Sequence, residues 1–411
     1  MDFLEQVKAA RVAANSLKLE TTETRNKALE AMSKALIDNI DSILEANKID
    51  LENAVKNNIA PVMIKRLELN EKKLKNIASD ILSVKSLNDP VGVVLDDYIA
   101  PSGIRIQKIT VPLGVIGVVY ESRPNVSVDI ATLCIKSGNA CLLKGGKEAF
   151  ITNQKLVEIM QNAIKDYIDP NSVQLVGDNS REVVQKLITM KGDIDLIVPR
   201  GSKGLINFVT QNTKVPYIET GAGVCHIYVD ETADIDMALN IIRNAKLSNP
   251  AVCNAVECIL VNEKVKDILF KIKDMFKDTV TLNGDKEVKD LIDCNLVSDY
   301  GNEYDDLILD LKIVKSLDEA INHIEKYGTH HSDAIISKNE ENIAKFLNVV
   351  DSACVYVNAS TRFSDGGCFG MGAELGISTQ KLHARGPMAL KEMTTYKYKV
   401  FGHGEVREWK C

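Results

Sequence analysis

The chain has 411 residues, 45% hydrophobic and 26% charged, an ordinary balance for a folded protein and too long for one compact core. A net charge of −7, a pI near 5.6 and a single Trp argue against nucleic acid as the main partner, because binding it needs basic patches and stacking platforms. Nine cysteines, with no CxxC pair and no zinc-ligand spacing to histidine, read as reduced thiols of a cytoplasmic protein with no metal. The pair His330–His331 has no nearby partner at ligand spacing. Met1–Lys8 is amphipathic and contains acids, unlike a signal or transit peptide, and no apolar run is long enough to cross a membrane.

Residues 1 to about 90 predict packing helices. Leu29, Met32, Leu36, Ile40, Ile43 and Leu44 recur at helical spacing, and Leu74, Ile77, Ile81 and Leu82 repeat the pattern. Near Asp89–Pro90 the character changes to short segments rich in Val and Ile: Val93–Leu95, Ile104–Ile109 and Val115–Tyr120. Strand Cys141–Leu143 then leads to helix Thr152–Lys165, strand Ser172–Leu175 to helix Arg181–Met190, and strand Ile194–Val198 to helix Lys203–Gln211, with strand Tyr217–Glu219 following. The alternation resumes after residue 226 with strand Ile227–Val229, helix Ile235–Ala245, strand Ile259–Val261 and helix Lys264–Phe276. Repeated β-α-β predicts parallel sheets with crossover helices, in two α/β layers in tandem. Thr394–Val400 is strand-like and predicts an arm or an edge strand.

Several segments carry chemistry-bearing residues. Three glycine turns follow predicted strands: Leu143–Lys147, Val198–Lys203 and Glu219–Gly223. None is GxGxxG, and each alone reads equally as a plain βα turn. Lys144, Lys147 and Lys203 beside them favour an anionic ligand, since a glycine turn opening a helix presents free N–H groups. Asn125, after strand Val115–Tyr120, is either a turn former or an amide that can donate to an oxyanion. Cys253 lies in a Pro/Asn-containing turn before an apolar run, where a thiol can be rigid yet reachable; buried cysteine is also simply a small hydrophobe. Asn358–Gly367 gathers hydroxyls, Arg362 and a double Gly, which suits either a small anionic substrate or a flexible surface loop.

Taken in order, these segments resemble the aldehyde dehydrogenase superfamily over nearly the whole chain. Tyr120–Asn125, Gly223–Asp230, Val252–Ala255, Tyr356–Phe363 and Leu382–Pro387 resemble more closely the branch that reduces L-glutamyl 5-phosphate to L-glutamate 5-semialdehyde. The resemblance implies an α/β fold of two tandem domains with parallel-type sheets and a small β oligomerisation arm. Residues 1–225 would hold the N-terminal helices and the nucleotide-binding domain, with an arm hairpin near 95–110. Residues 226–365 would form the catalytic domain, and 366–411 the return segment and C-terminal arm. Cys253 looks like the nucleophile, with Asn125 and the Cys253 N–H as oxyanion donors. Lys144 resembles the lysine that meets the adenosine ribose, Gly201 and Ser202 the turn that receives the pyrophosphate, and Glu303 the acid that holds the nicotinamide ribose. Lys147 stands where NAD-preferring members tend to carry an acid, which implies NADP(H). Glu219 stands where hydrolytic members keep a general base, a role this reaction does not need. Arg123, Asn358, Ser360, Thr361 and Arg362 are the substrate-binding candidates, with Asp365 or Glu121 for the ammonium group. A homo-oligomer and channelling with glutamate 5-kinase are implied as well. The rival readings are a non-phosphorylating or CoA-acylating aldehyde dehydrogenase and a catalytically silent scaffold.

Overall fold

Side-chain caps and apolar spacing account for the N-terminal helices. In the computed structural model, which describes residues 1–178 and 180–407, Asp2 and Glu5 form a capping box that opens α1 (Phe3–Leu17). Thr21 caps α2 (Thr22–Asp38). The long helical pattern expected through Ile40 and Leu44 is interrupted at Asn39, whose side chain donates to Ala35 O at 2.8 Å. The chain restarts as α3 (Ile40–Lys56), followed by α4 (Pro61–Leu67) and by α5 (Glu71–Ser86), which Asn70 caps. Leu29, Met32, Leu36, Ile43, Leu74, Ile77 and Ile81 are all buried.

The chain forms two units. One comprises Met1–Glu219, Gly370–Gly376 and the segment beginning at Met388; the other comprises Thr220–Phe369 and Ile377–Pro387. The division falls at 219/220, where the sequence suggested 225/226, and the return segment is shared between the units.

In the first unit, β1 (Val94–Ile99) and β2 (Arg105–Pro112) form a hairpin. The parallel sheet is built from β3 (Val115–Tyr120), α6 (Asn125–Lys136), β4 (Ala140–Lys144), α7 (Phe150–Ile164), β5 (Val173–Leu175), α8 (Arg181–Thr189), β6 (Leu196–Arg200) and α9 (Lys203–Asn212), with strand order β5-β4-β3-β6. Strands β3 and β4 are buried along their whole length, as helices on both faces require. The strand expected at Tyr217–Glu219 is only an isolated bridge to Ile197. Pro216 beside it has no N–H to extend a ladder.

The second unit runs β7 (Cys225–Val229), α10 (Ile235–Leu247), β8 (Val256–Asn262), α11 (Ile268–Phe276), β9 (Thr281–Gly284), α12 (Lys286–Ile292), β10 (Asn295–Leu296), β11 (Ile308–Val314), α13 (Leu317–Tyr327), β12 (Ser332–Ile336), α14 (Glu340–Val349) and β13 (Cys354–Val357). These strands form one parallel sheet, ordered β10-β9-β11-β8-β7-β12-β13. The expected helix at Lys264–Phe276 begins later, because a 3-10 turn at Glu263–Val265 precedes it. A short antiparallel pair, β14 (Ile377–Ser378) and β15 (Gly386–Pro387), completes the unit. The chain then returns to the first unit, where β16 (Thr394–Phe401) pairs antiparallel with β2 to give the sheet β1-β2-β16. This is the small β arm expected near 95–110 and 394–400.

Candidate active site

Cys253 lies in the tight turn that feeds β8 and is partly exposed. Cys134, Cys141, Cys225, Cys258 and Cys354 are buried, and burial raises the Cys134, Cys225 and Cys258 thiols well above their ordinary value. The turn sits at the N-terminal edge of the sheet, opposite the edge where open α/β sheets usually bind ligands.

Two supports hold this turn from behind. Gly223 packs directly on it: a Cβ there would stand 1.5 Å from Cys253 O. The Gly223 N–H donates to Glu303 Oε1 at 2.6 Å, so Glu303 secures the segment against which Cys253 rests. Cys225 Sγ donates to Cys253 O at 3.2 Å. The second support grips Asn254, which is 3% exposed. Its Nδ2 donates to Ser364 Oγ at 3.0 Å, its carbonyl accepts from Thr361 Oγ1 at 2.7 Å, and its Oδ1 accepts from Arg362 Nη1. Arg362 Nε also donates to Ser248 Oγ at 3.1 Å.

The Asn358–Arg362 loop therefore has a task the sequence did not indicate. Thr361 and Arg362 hold the Cys253–Asn254 turn, and Ser360 caps the 3-10 turn Thr361–Ser364. Asn358, at φ 51°, exchanges hydrogen bonds with the Ser337 backbone at 2.9 and 3.0 Å.

Sequence reasoning missed Glu257 and Lys246. Glu257 Oε2 and Lys246 Nζ form an ion pair at 2.8 Å with 2% and 0% exposure. Loss of solvent pushes the Glu257 carboxyl up to about 8, against the pull of Lys246, while Glu303 and Asp305 push it further up. The available signal was an acid inside the otherwise apolar run of β8, all of which is buried.

In the first unit, Asn125 opens α6, and its Nδ2 donates to Asp129 Oδ2 at 3.0 Å. Burial pushes Asp129 up to about 7, the Asn125 bond opposing. Arg123 and Asn125 line one small cavity of about 60 Å³ with Asp129, Arg200 and Glu374. Glu219, the last residue of this unit before 220, is partly buried.

Lys144 ends β4, is 5% exposed and donates to Gly145 O at 2.8 Å. Burial lowers its pKa, with Asp178 and Glu148 opposing. Lys147 is exposed and begins the 3-10 turn Lys147–Ala149 after Gly145–Gly146. Ser202 caps α9, and its N–H and hydroxyl donate to Glu121 Oε2 at 2.7 Å and Oε1 at 3.0 Å. This helix start thus already holds a carboxylate, that of Glu121. A larger cavity of about 280 Å³ is lined by Glu121, Ser122 and Glu148 with Asn58–Ala60 and Met63.

The aldehyde dehydrogenase family model matches residues 1–290. The gamma-glutamyl phosphate reductase of Clostridium perfringens is 50% identical over 406 residues, covering 97% of this chain and 98% of its own. That of Nautilia profundicola is 48% identical over 413 residues, covering 99% and 100%. The crystal structure of gamma-glutamyl phosphate reductase from Thermotoga maritima matches with a TM-score of 0.97 at 43% identity, covering 99% of this chain and all of that one.

Proposed function

This chain belongs to the aldehyde dehydrogenase family and, within it, to the gamma-glutamyl phosphate reductases, and from that premise we propose that it reduces L-glutamyl 5-phosphate to L-glutamate 5-semialdehyde with release of phosphate, in proline biosynthesis in the cytoplasm. The observation that carries the chemistry is a partly exposed thiol, Cys253, on a turn braced by Gly223 and Asn254.

The Cys253 thiolate attacks the acyl carbon, and phosphate leaves to give a Cys253 thioester. In this reading the oxyanion would take hydrogen bonds from the Asn125 amide and the Cys253 N–H. A bound nicotinamide cofactor, NADPH in this reading, supplies hydride to the thioester carbon. The resulting thiohemiacetal collapses, and Cys253 leaves as thiolate.

The residues present fit such a cofactor. The α9 start binds an anion through Ser202, with the Glu121 carboxylate as stand-in for a phosphate oxygen. Gly201 and Ser202 would receive the pyrophosphate once Glu121 turns aside. Lys144 would meet the adenosine ribose and Lys147 its 2'-phosphate. Glu303, now on the Gly223 N–H, would take the nicotinamide ribose. We assign the substrate's anionic groups to Arg123 and to the loop of Asn358, Ser360, Thr361 and Arg362, in which the Arg362 guanidinium would exchange its Asn254 and Ser248 partners for the substrate. Glu219 is not needed as a base, because phosphate and not water is the acyl partner. No helix among the described residues is long and apolar enough to cross a membrane. The exposed arm, with Tyr396, Tyr398, Val400 and Ile99 on its surface, supports a homo-oligomer. Transfer of the labile acyl phosphate from glutamate 5-kinase completes the reading.

The test follows NADP reduction by glutamate 5-semialdehyde with and without inorganic phosphate, for wild type and Cys253→Ala. Phosphate-dependent turnover that the variant loses is the expected result. Phosphate-independent turnover would overturn the reading and restore Glu219 as a base for thioester hydrolysis.

A further inference from the structure

Beneath the nucleophile turn, the second unit holds a polar cluster that the reaction does not use. His226 on β7, Cys258 on β8 and His323 on α13 each offer one ligand atom, and these atoms lie within 4.8 Å of one another. Their exposures are 0%, 1% and 5%. The two imidazoles meet edge to face with centroids 5.4 Å apart.

The hydrogen bonding of the cluster is incomplete. His226 Nδ1 is committed to Asp333 Oδ1 at 3.2 Å, and the same oxygen accepts the His226 backbone N–H at 2.8 Å. That leaves Nε2 as the nitrogen His226 offers to the cluster, and among the described residues Nε2 has no hydrogen-bond partner. A buried polar atom left in this state forfeits the hydrogen bond it makes to water in the unfolded chain. His323 Nε2 reaches only Cys258 Sγ, at 3.9 Å.

We propose that His226 Nε2, His323 Nε2 and Cys258 Sγ form a zinc site, with Asp333 as the carboxylate that orients His226. Two nitrogens and one sulfur suit zinc, whereas magnesium and calcium take oxygen ligands. Tetrahedral ligands at about 2.0–2.3 Å from zinc stand roughly 3.3–3.7 Å apart, so the three side chains close inward by about an ångström. The Asp333–His226 bond is the carboxylate–histidine arrangement that fixes the tautomer and strengthens the ligand. On binding, Cys258 releases its thiol proton to solvent and ligates as thiolate, while both imidazoles stay neutral. The site then carries one positive charge, offset by Asp333 and by Asp310, whose charge acts on both Cys258 and His226. Three ligands leave one position of the ion open. The metal would tie two neighbouring strands, β7 and β8, to helix α13.

The test uses the full-length protein expressed in zinc-supplemented medium, freed of loose metal by gel filtration, with metal read by mass spectrometry. Close to one zinc per chain is expected. Cys258→Ser and His323→Gln should each retain at least about tenfold less, whereas Cys253→Ser and Cys368→Ser, at the more accessible thiols, keep it. Cobalt in place of zinc should give the wild type a sulfur-to-metal charge-transfer band that Cys258→Ser lacks. Circular dichroism checks that each variant folds. If one does not, the other variant and the wild-type cobalt spectrum still decide. Wild type without zinc above background, or zinc kept at wild-type level in folded Cys258→Ser and His323→Gln, overturns the proposal.

Discussion

At position 223 a single methyl group decides whether the Cys253 turn can sit where it does. The atom it would meet, Cys253 O at 1.5 Å, is backbone and cannot rotate away. Gly223→Ala must therefore displace the Cys253 turn, the Glu303 anchor, or both. Overpacking of this kind typically costs about 1–3 kcal/mol, and the upper end is expected here. Thermal unfolding together with kcat checks it: a stable variant with wild-type kcat would contradict the packing described. Lys147 makes a different kind of prediction, since it is exposed and Lys147→Glu leaves the fold alone. A like charge facing the 2'-phosphate should reverse the NADPH/NADH preference in kcat/KM by at least about tenfold; an unchanged ratio removes the lysine from cofactor selection. Cys253 could be singled out in the sequence as a candidate because its Pro/Asn turn and the apolar run after it are contiguous, and the family resemblance then implied its role. Gly223 and Glu303 as its supports were not, because their relation to Cys253 exists only across strand starts and loops far apart in the chain.

At the scale of elements, α10 and β8 are joined by the buried pair Lys246–Glu257. Glu257 is an acid whose folded value, about 8, lies above its ordinary 4.5, with desolvation as the main cause and Lys246 as the chief opposing influence. An acid raised in this way favours the folded state most below about 4.5, and that contribution is lost as pH rises through about 8. Removing the cation steepens the loss. Lys246→Met should be tolerated near pH 5, where Glu257 can be protonated, and should cost about 3–5 kcal/mol on the alkaline side of pH 8. Urea unfolding at the two pH values tests this, and an equal cost at both would refute it. The same scale explains what could be read from the sequence. The alternating strands and helices after Val115 were legible, since each has its own period and its own turn residues. The 3-10 turn Thr361–Ser364 reads as a substrate loop because its polar residues are evident; that Thr361 and Arg362 also hold Asn254 was hidden, since Asn254 lies a hundred residues earlier. The histidines and cysteine of the proposed zinc site escaped for the same reason: each sits on a different element, so no ligand spacing exists to find.

At the scale of the whole molecule, neither unit is a continuous stretch of chain. The sequence suggested a boundary at 225/226, whereas the chain divides at 219/220. It could not show that Gly370–Gly376 goes back to the first unit and Ile377–Pro387 to the second, since those segments are short and without period. The arm illustrates what such threading entails. Strand β2 pairs with β1 on one edge and with β16 on the other, and β16 is the last strand among the described residues. During synthesis at roughly 5–20 residues per second, the second edge of β2 waits on the order of tens of seconds for its partner to leave the ribosome. For that interval a nascent chain displays an unpaired strand, the kind of template on which neighbouring chains on one messenger can dock. The arm is thus the place where crowded translation would first show as misassembly, long before any catalytic residue is at risk.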